Sequence, residues 1–380
     1  MGIASTLKEI SFKEVVSEVT PDNDIDTVVQ EHCEEKLNDL IEREVGRDAL
    51  VLIIKYAGLS NGYTFLTSTN TRFNIDKLKK GKFNHIVNLK RINDVRWVNK
   101  FFESVSSKIE IGGYYINSVE TYSTRKKRIL RKSIKPFNWF HYTADVFFTR
   151  LFPKLPFTKR IYFAITKGKG RVLSRAETFG RLYSCGFEIV DEKLIGDELF
   201  FVARKIKEPV FDNNPTYGPI IRLKRHGENG KLFNVYKLRT MHAYSEYLQE
   251  YVFTHNSLQE GGKFSNDFRI TTEGRFFRKF WIDELPMFIN IFKGNLKIVG
   301  VRPLSSHYFS LYSDELKNKR VKYKPGLIPP FYVDMPKTLD EIMASEMRYL
   351  EAYDKHPFWT DVKYFSKAFC NIVFKRARSG

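Results

Sequence analysis

Asp283 and Glu284 stand side by side ahead of Leu285-Pro286, and three basic residues, Arg275, Arg278 and Lys279, precede them. Leu285, Phe288, Ile289 and Phe292 then fall at i, i+3, i+4 and i+7, one apolar face of a short helix. That spacing makes Asp283 the N-cap, puts Pro286 in the tolerant first turn and gives Gly294 the position just past the helix end. Two carboxylates at a helix N-terminus are held ionised by the helix dipole. Surrounded by cations, they suit a carboxylate nucleophile, or a metal-bound carboxylate, working on a phosphate ester. Plain helix capping explains an Asp-Glu pair as well. Further upstream, Lys237 and Arg239 lie two apart on an expected strand, hence on one face, where two cations can clamp a diphosphate.

The elements around these residues can be read from turn chemistry and periodicity. Gly218 to Tyr236 reads as a hairpin whose turn holds Asn229-Gly230, the strongest short hairpin signal, and whose returning strand delivers Lys237 to Met241. A buried strand through Leu296, Ile298 and Val299 is expected to lead into Gly300-Val301-Arg302-Pro303. In the last helix, Phe358, Val362, Phe365, Phe369 and Ile372 share one face beside Lys375, Arg376 and Arg378, a stripe that suits membrane contact but for which core packing is the preferred role.

The first half alternates helical and strand-like segments, which argues an α/β sheet. Polar helical material covers residues 11–48, with Asp22, Asp24 or Asp26 as caps. Ala49 to Ile54 reads as a strand, Gly58 to Gly62 as a turn, and His85 to Leu89 as a strand. A helix through Trp97, Phe101 and Val105 and a strand over Tyr114 to Val119 follow, with an antiparallel pair at Gly186 to Val190 and Glu198 to Ala203. Between them, a basic run from Arg125 to Lys132 adjoins Phe137, Trp139, Phe140, Tyr142, Phe147, Phe148 and Phe152. That patch suits an anionic lipid leaflet, or equally a solvated helix end beside core aromatics. Asp212 to Pro215 reads as a linker, placing the domain boundary near residue 207.

Two stretches resemble the bacterial sugar transferase family, the monotopic polyprenyl-phosphate phosphoglycosyl transferases that initiate exopolysaccharide, capsule and O-antigen (lipopolysaccharide) synthesis. The first comprises Gly218-Pro219, Arg225-His226-Gly227-Glu228-Asn229-Gly230 and Lys237 to Met241. The second comprises Gly274, Arg278, Asp283 to Pro286, Asn290, Lys293-Gly294 and Val299 to Leu304, with Val301 where the family usually has proline. His307-Tyr308, Arg320 and Lys324-Pro325-Gly326 extend the match, which covers roughly residues 215–335. Beyond Gly326 the pattern departs, and the apolar run Leu327 to Phe331 is a candidate for lipid contact. The hydrophobic re-entrant helix that family members carry before the Gly-Pro strand is replaced by Ile206-Lys207-Glu208-Pro209.

The resemblance implies a phosphoglycosyl transferase domain over residues 208–380, of α+β type. Separately, the strand, helix, Gly112-Gly113, strand order and the hairpin holding Gly186-Phe187 weakly resemble the second half of a class I methyltransferase, over roughly residues 83–120 and 175–204, so residues 1–207 read as a non-catalytic, degenerate Rossmann-like, methyltransferase-like domain. The sugar transferase resemblance implies transfer of a sugar-1-phosphate from a UDP-sugar donor to a polyprenyl (undecaprenyl) phosphate acceptor with release of UMP. By the same analogy Asp283 is the nucleophile, Glu284 with Asp283 holds Mg²⁺, and Lys237, Arg239, Arg278 and Arg302 hold phosphate groups. The implied location is the cytoplasmic face of the bacterial inner membrane, on an anionic membrane surface, with a homo-oligomer left open.

Composition sets the bounds. The 380 residues suggest two domains, and Lys plus Arg number 63 against 44 Asp plus Glu, a net charge of +19 that calls for a polyanionic partner. Three scattered cysteines support neither a disulfide framework nor a zinc site. No apolar run is long enough for a spanning helix. Charge alone also admits a nucleic-acid binder, but no RNP, helix-turn-helix or zinc-finger pattern is present, so no nucleic-acid partner is expected. A non-catalytic membrane-associated scaffold of a polysaccharide assembly complex is the alternative reading; a methyltransferase ranks last, since no Gly-rich loop follows a first strand and Gly168-Lys169-Gly170 does not supply one.

Overall fold

The computed structural model describes residues 25–59, 63–132, 134–210, 218–255 and 267–374. The linker at 212–215, the caps at Asp22 and Asp24, the end of the turn at Gly62 and the basic trio Lys375, Arg376 and Arg378 lie outside them. The chain forms two compact units, Met1–Tyr217 with His242–Tyr251, and Gly218–Met241 with Val252–Gly380. The passage from one to the other falls downstream of residue 207, and the short return of 242–251 had no signal in the sequence.

The first unit is an α/β layer structure. Helices α1 (Ile25–Val45) and α2 (Arg47–Ala57) precede strands β1 (Thr64–Thr67) and β2 (His85–Asn88); α3 (Val98–Ser106) and β3 (Tyr114–Val119) follow. Next come three helices, α4 (Tyr122–Lys132), α5 (Phe137–Val146) and α6 (Pro156–Thr166), then α7 (Arg175–Ser184), β4 (Phe187–Ile195) and β5 (Glu198–Lys205). The sheet order is β1-β2-β3-β5-β4, with the first three strands parallel and the last two pairings antiparallel. Because side chains alternate across a sheet, Val87, Ile116 and Val202 pack on one face with Ile41, Leu50 and Ile53 of α1 and α2. The opposite face carries Tyr115 and Phe201, which meet each other edge-on, with Phe102 of α3 against Tyr115 and Phe179 of α7 against Phe201.

Ala49 to Ile54 is helical, correcting the strand expected there. Ala49, Leu50, Leu52, Ile53 and Ala57 are buried while Val51 and Ile54 face solvent, a helical rather than a two-residue period.

The second unit holds the paired motifs. β6 (Ile220–His226) and β7 (Leu232–Leu238) form an antiparallel hairpin, and its turn places Asn229 at φ 56° and Gly230 at φ 69°. The Asn-Gly pair supplies the left-handed conformations that such a reversal requires. Then come α8 (Thr272–Lys279), a 3₁₀ segment over Ile282–Met287, α9 (Phe288–Phe292) and β8 (Lys297–Val299). β8 pairs in parallel with β9 (Gly326–Ile328), and two long helices close the unit, α10 (Leu339–Lys355) and α11 (Pro357–Phe374). Val299, Val301 and Leu304 pack with Leu316, Tyr349 and Leu350, fixing the segment that carries Arg302. Val301, at the family's usual proline position, is 2% exposed and its carbonyl accepts from Gly326 N at 2.9 Å. Its packing holds the turn without proline.

Two expectations about apolar stripes are overturned. On α11, Phe358, Val362, Phe365 and Phe369 are exposed, Ile372 alone of the stripe packs against Tyr332 and Ala368, and the buried positions are the small or polar Thr360, Ala368 and Asn371. Asn371 faces inward because its amide donates to the carbonyls of Tyr332 and Val333. Conversely, the 327–331 run is not laid open to lipid: Pro329 and Pro330 are buried, and Leu327 and Pro329 line the cleft described next.

Candidate active site

Strand alternation builds the site's first wall. Leu223 is opposite Val235, and Ile221 opposite Lys237, so Leu223 and Arg225 of β6 share a face with Val235 and Lys237 of β7. The hairpin end is tied to the Arg302 segment: His226 N donates to Leu304 O at 3.0 Å, and the His226 ring stacks on Phe309. A second wall is the 3₁₀ segment that carries Asp283 and Glu284. Its register against β7 is set by Asn290, which is fully buried. The Asn290 side chain donates to Asn234 O at 2.7 Å and accepts from Tyr236 N at 3.0 Å, replacing a missing strand partner on both sides of β7's centre.

Within these walls lies a cleft of about 80 Å³, lined by Arg225, Lys237, Glu284 and Arg302 over Val235, Met287, Leu327 and Tyr332. Lys237 Nζ donates to Glu284 Oε1 at 2.6 Å, with both side chains 19% exposed. Burial, and then the neighbouring charge of Arg302, hold the Arg225 guanidinium below its ordinary pKa. Two guanidiniums that repel each other beside an amine already committed to one carboxylate leave surplus positive charge in the cleft. Such an arrangement favours a multiply charged anion.

Asp283 stands beside the cleft. Burial raises its carboxyl above the ordinary range; Lys237 and Arg278 pull it back down, while Glu284 adds to the rise. It is not an N-cap. Trp281 adopts a left-handed conformation at φ 56°, so the chain enters the 3₁₀ turn before Asp283, and Asp283 and Glu284 sit inside its first turn. Arg278 does not line the cleft. Its Nε donates to Thr240 Oγ1 at 3.0 Å, within electrostatic reach of Asp283. Helix α8 is seated there by Thr271, whose hydroxyl caps Gly274 N, and by Gly274, whose Cα faces Thr240 so closely that a Cβ would lie 2.1 Å from the Thr240 carbonyl. Arg239 lies beyond the end of β7 and is turned toward Gly218, donating from Nε to its carbonyl at 3.0 Å. Lys237 and Arg239 therefore do not clamp one anion from one face. Lys237, Glu284 and Arg302 converge, with Asp283 adjacent.

Arg225 and Asn290 gain roles that sequence reasoning had not assigned. Arg225 was legible in principle, since alternation along the hairpin sets it on the face of Lys237. Asn290's role depends on a tertiary contact. A further support lies behind Arg302: the Arg320 guanidinium donates to its carbonyl, and Arg320 Nε approaches Glu346 Oε2 at 2.9 Å without hydrogen-bond alignment. Both of those side chains are nearly fully buried.

Among the described residues no group of three His, Cys, Asp or Glu could cage a metal unaided. Mg²⁺ commonly takes one or two carboxylates and completes its shell with water and substrate phosphates, a donor set that adjacent Asp283 and Glu284 fit. The helix stripe after them faces outward: Leu285, Phe288, Ile289 and Phe292 are all exposed, as are Phe276 and Phe280. No helix among the described residues is long and apolar enough to cross a membrane.

Residues 211–375 match the family model described as bacterial sugar transferase. The galactosyl transferase CpsE of Streptococcus agalactiae serotype III is 33% identical over 179 residues, 46% of this chain and 38% of that protein. The undecaprenyl-phosphate galactose phosphotransferase of Salmonella typhimurium is 36% identical over 109 residues, 27% of this chain and 23% of that protein. The UDP-glucose:undecaprenyl-phosphate glucose-1-phosphate transferase of Xanthomonas campestris pv. campestris is 28% identical over 156 residues, 38% of this chain and 30% of that protein. The chain thus spans well under half the length of these three relatives. The matched residues 211–375 carry the hairpin, the Asp283-Glu284 segment and the cleft between them, so it is this part of the chain that is similar to the bacterial sugar transferases.

Proposed function

We propose that the second unit transfers a sugar-1-phosphate from a UDP-sugar to a polyprenyl phosphate such as undecaprenyl phosphate, releasing UMP, as the initiating step of a surface polysaccharide. The observation that carries this reading is the Lys237–Glu284 pair in a cleft with Arg225 and Arg302, immediately beside half-buried Asp283. The relatives named above act on undecaprenyl phosphate or transfer galactose, which supports the same class of substrates here.

In this mechanism an ionised Asp283 oxygen attacks the sugar-linked phosphorus of the donor. The bond from that phosphorus to the bridging oxygen breaks, and UMP leaves with the electron pair. A phosphate oxygen of the polyprenyl acceptor then attacks the same phosphorus and frees the Asp283 carboxylate. Splitting one displacement into two is the usual gain of a covalent nucleophile. Arg225, Arg302 and Lys237 hold the donor's phosphate oxygens, and the apolar floor of the cleft keeps water away from the phosphorus. Lys237 also lowers the Asp283 pKa, favouring the ionised form that attacks. Mg²⁺, when bound through Glu284 and Asp283, would shield phosphate charge. The first unit is proposed to be non-catalytic.

The test is UMP release in detergent with polyprenyl phosphate, Mg²⁺ and a panel of UDP-sugars, run beside Asp283→Asn. Release from one donor that Asp283→Asn abolishes supports the reading. Silence of the folded wild-type protein across the panel transfers the reading to a non-catalytic scaffold.

A further inference from the structure

The charge of this chain is not evenly spread. Residues 121–170 contain thirteen Lys and Arg against one acid, Asp145, and so hold well over half of the net +19. They form the three helices inserted between β3 and α7. Asp145 is not available to offset the surplus, because Arg125 binds it with Nε at 2.9 Å. Arg125 and Arg128 also pair with Glu120, whose side chain is 2% exposed. These pairs fasten α4 and α5 to the sheet end. Lys127, Lys132, Lys135, Lys159 and Arg160 are exposed, with no ion pair among the described residues.

The same insertion turns apolar faces outward. On α5 and its continuation, Phe137, Phe140, Ala144 and Phe147 recur at i, i+3, i+7 and i+10, while Asn138 is buried. On α6, Phe157, Ile161 and Ile165 recur at i, i+4 and i+8, with Tyr162 turned inward against Phe148. The six large side chains of these stripes are 56–89% exposed. A helix that packs its polar residue inward and leaves its phenylalanines in water is built for another apolar medium. Lys126 lies 5.3 Å from the rings of both Trp139 and Tyr142, an aromatic and cationic pairing suited to a headgroup layer.

We infer that the 121–170 insertion is a lipid-docking module, with the apolar faces of α5 and α6 entering the acyl boundary of an anionic leaflet and the lysines and arginines engaging its headgroups. Charge complementarity chooses this occupant. A second copy of the chain would bring the same positive surplus and be repelled, and nucleic acid would leave the apolar stripes in water. The inference concerns the first unit and does not depend on the chemistry proposed for the second. It gives a membrane contact to a chain in which the family's re-entrant helix is replaced by a polar segment.

The experiment is flotation of the full chain with phosphatidylcholine vesicles, with and without phosphatidylglycerol, at low and high salt. Lys127→Gln/Lys132→Gln/Lys159→Gln/Arg160→Gln should weaken binding to the anionic vesicles at least about tenfold, since each cation near such a surface is worth about fivefold. Phe140→Ser/Phe157→Ser/Ile161→Ser should weaken it by a similar factor and abolish the salt-resistant fraction. Both variants should release UMP in detergent at the wild-type rate, which separates loss of docking from loss of catalysis. As a local readout, an environment-sensitive fluorophore on Ile161→Cys, in a Cys33→Ser/Cys370→Ser chain, should shift to the blue with anionic vesicles. Unchanged flotation of both variants, or no spectral shift, would overturn the inference. So would variants that lose self-association or RNA binding while floating normally.

Discussion

Asn290 gives the account its sharpest structural test. Its side chain makes two hydrogen bonds to β7, and those two bonds set the distance between Lys237 and the Asp283-Glu284 segment. Asn290→Ala removes both and leaves a cavity at a fully buried position. At about 0.5–1.5 kcal/mol net for each bond, the loss is about 1–3 kcal/mol before the cavity is counted. For a unit of this size that corresponds to a fall in Tm of roughly 2–12 °C. The larger effect should be on rate, because a misplacement of about 1 Å between catalytic groups can cost about a hundredfold. Asn290→Asp keeps the acceptor for Tyr236 N but sets a buried carboxylate against Asn234 O, so it should destabilise at neutral pH and recover toward wild type at low pH, where the protonated acid can donate. Thermal unfolding and UMP release under the same buffer provide both readouts. If Asn290→Ala melts with the wild type and turns over at the same rate, the claim that this residue sets the register is wrong.

Three more expectations follow from the same geometry. Gly274→Ala should destabilise the second unit by about 1–3 kcal/mol and slow UMP release, since its Cβ would meet the Thr240 carbonyl at 2.1 Å; a melting curve like the wild type's would contradict the close seating of α8. Burial pushes the Glu346 carboxyl from 4.5 up to about 7, so the folded state keeps a proton that the unfolded state has released. Its contribution to stability is therefore full below pH 4.5 and lost as pH rises through about 7, about 3 kcal/mol in all. The stability difference between wild type and Glu346→Gln should change by that amount between pH 4.5 and about pH 8, and a constant difference would refute it. Arg225→Ala and Arg302→Ala should each weaken donor binding roughly tenfold to a hundredfold, read as a rise in KM, with Arg225→Lys recovering part of the loss.

Much of this structure was legible because local chemistry and tertiary need agree. Asn229-Gly230 predicted a reversal with two left-handed residues, and the hairpin has them. The strands at 85–88, 114–119 and 198–205 stand where apolar runs bounded by turn residues placed them. The failures have physical causes. ALVLII is uniformly apolar, and a uniform run carries no period, so helix and strand look alike until the buried subset is known. Asp283 reads as a cap because Asp precedes a helical pattern, but the left-handed Trp281 moves the start of the turn upstream, and nothing about a tryptophan announces a positive φ. Periodicity identified the stripes at 285–292 and 358–372 without saying which way they face. Of the side chains that are buried there, Met287, Asn290, Thr360, Ala368 and Asn371, only Met287 is a large apolar one. Lys237 and Arg239 show the opposite limit, since a two-residue spacing shares a face only while the strand lasts, and β7 ends at Leu238.

The central claim is that Asp283 becomes covalently attached to the donor's phosphosugar. The direct measurement is intact-protein mass spectrometry after brief incubation with the active UDP-sugar and Mg²⁺ and no acceptor, followed by acid quench. The account predicts a species heavier by one sugar phosphate, formed with a stoichiometric burst of UMP, mapped to the peptide holding Asp283 and discharged by polyprenyl phosphate. It predicts no such species in Asp283→Asn. UMP formed in catalytic amounts with no adduct, or an adduct that persists in Asp283→Asn, would contradict it.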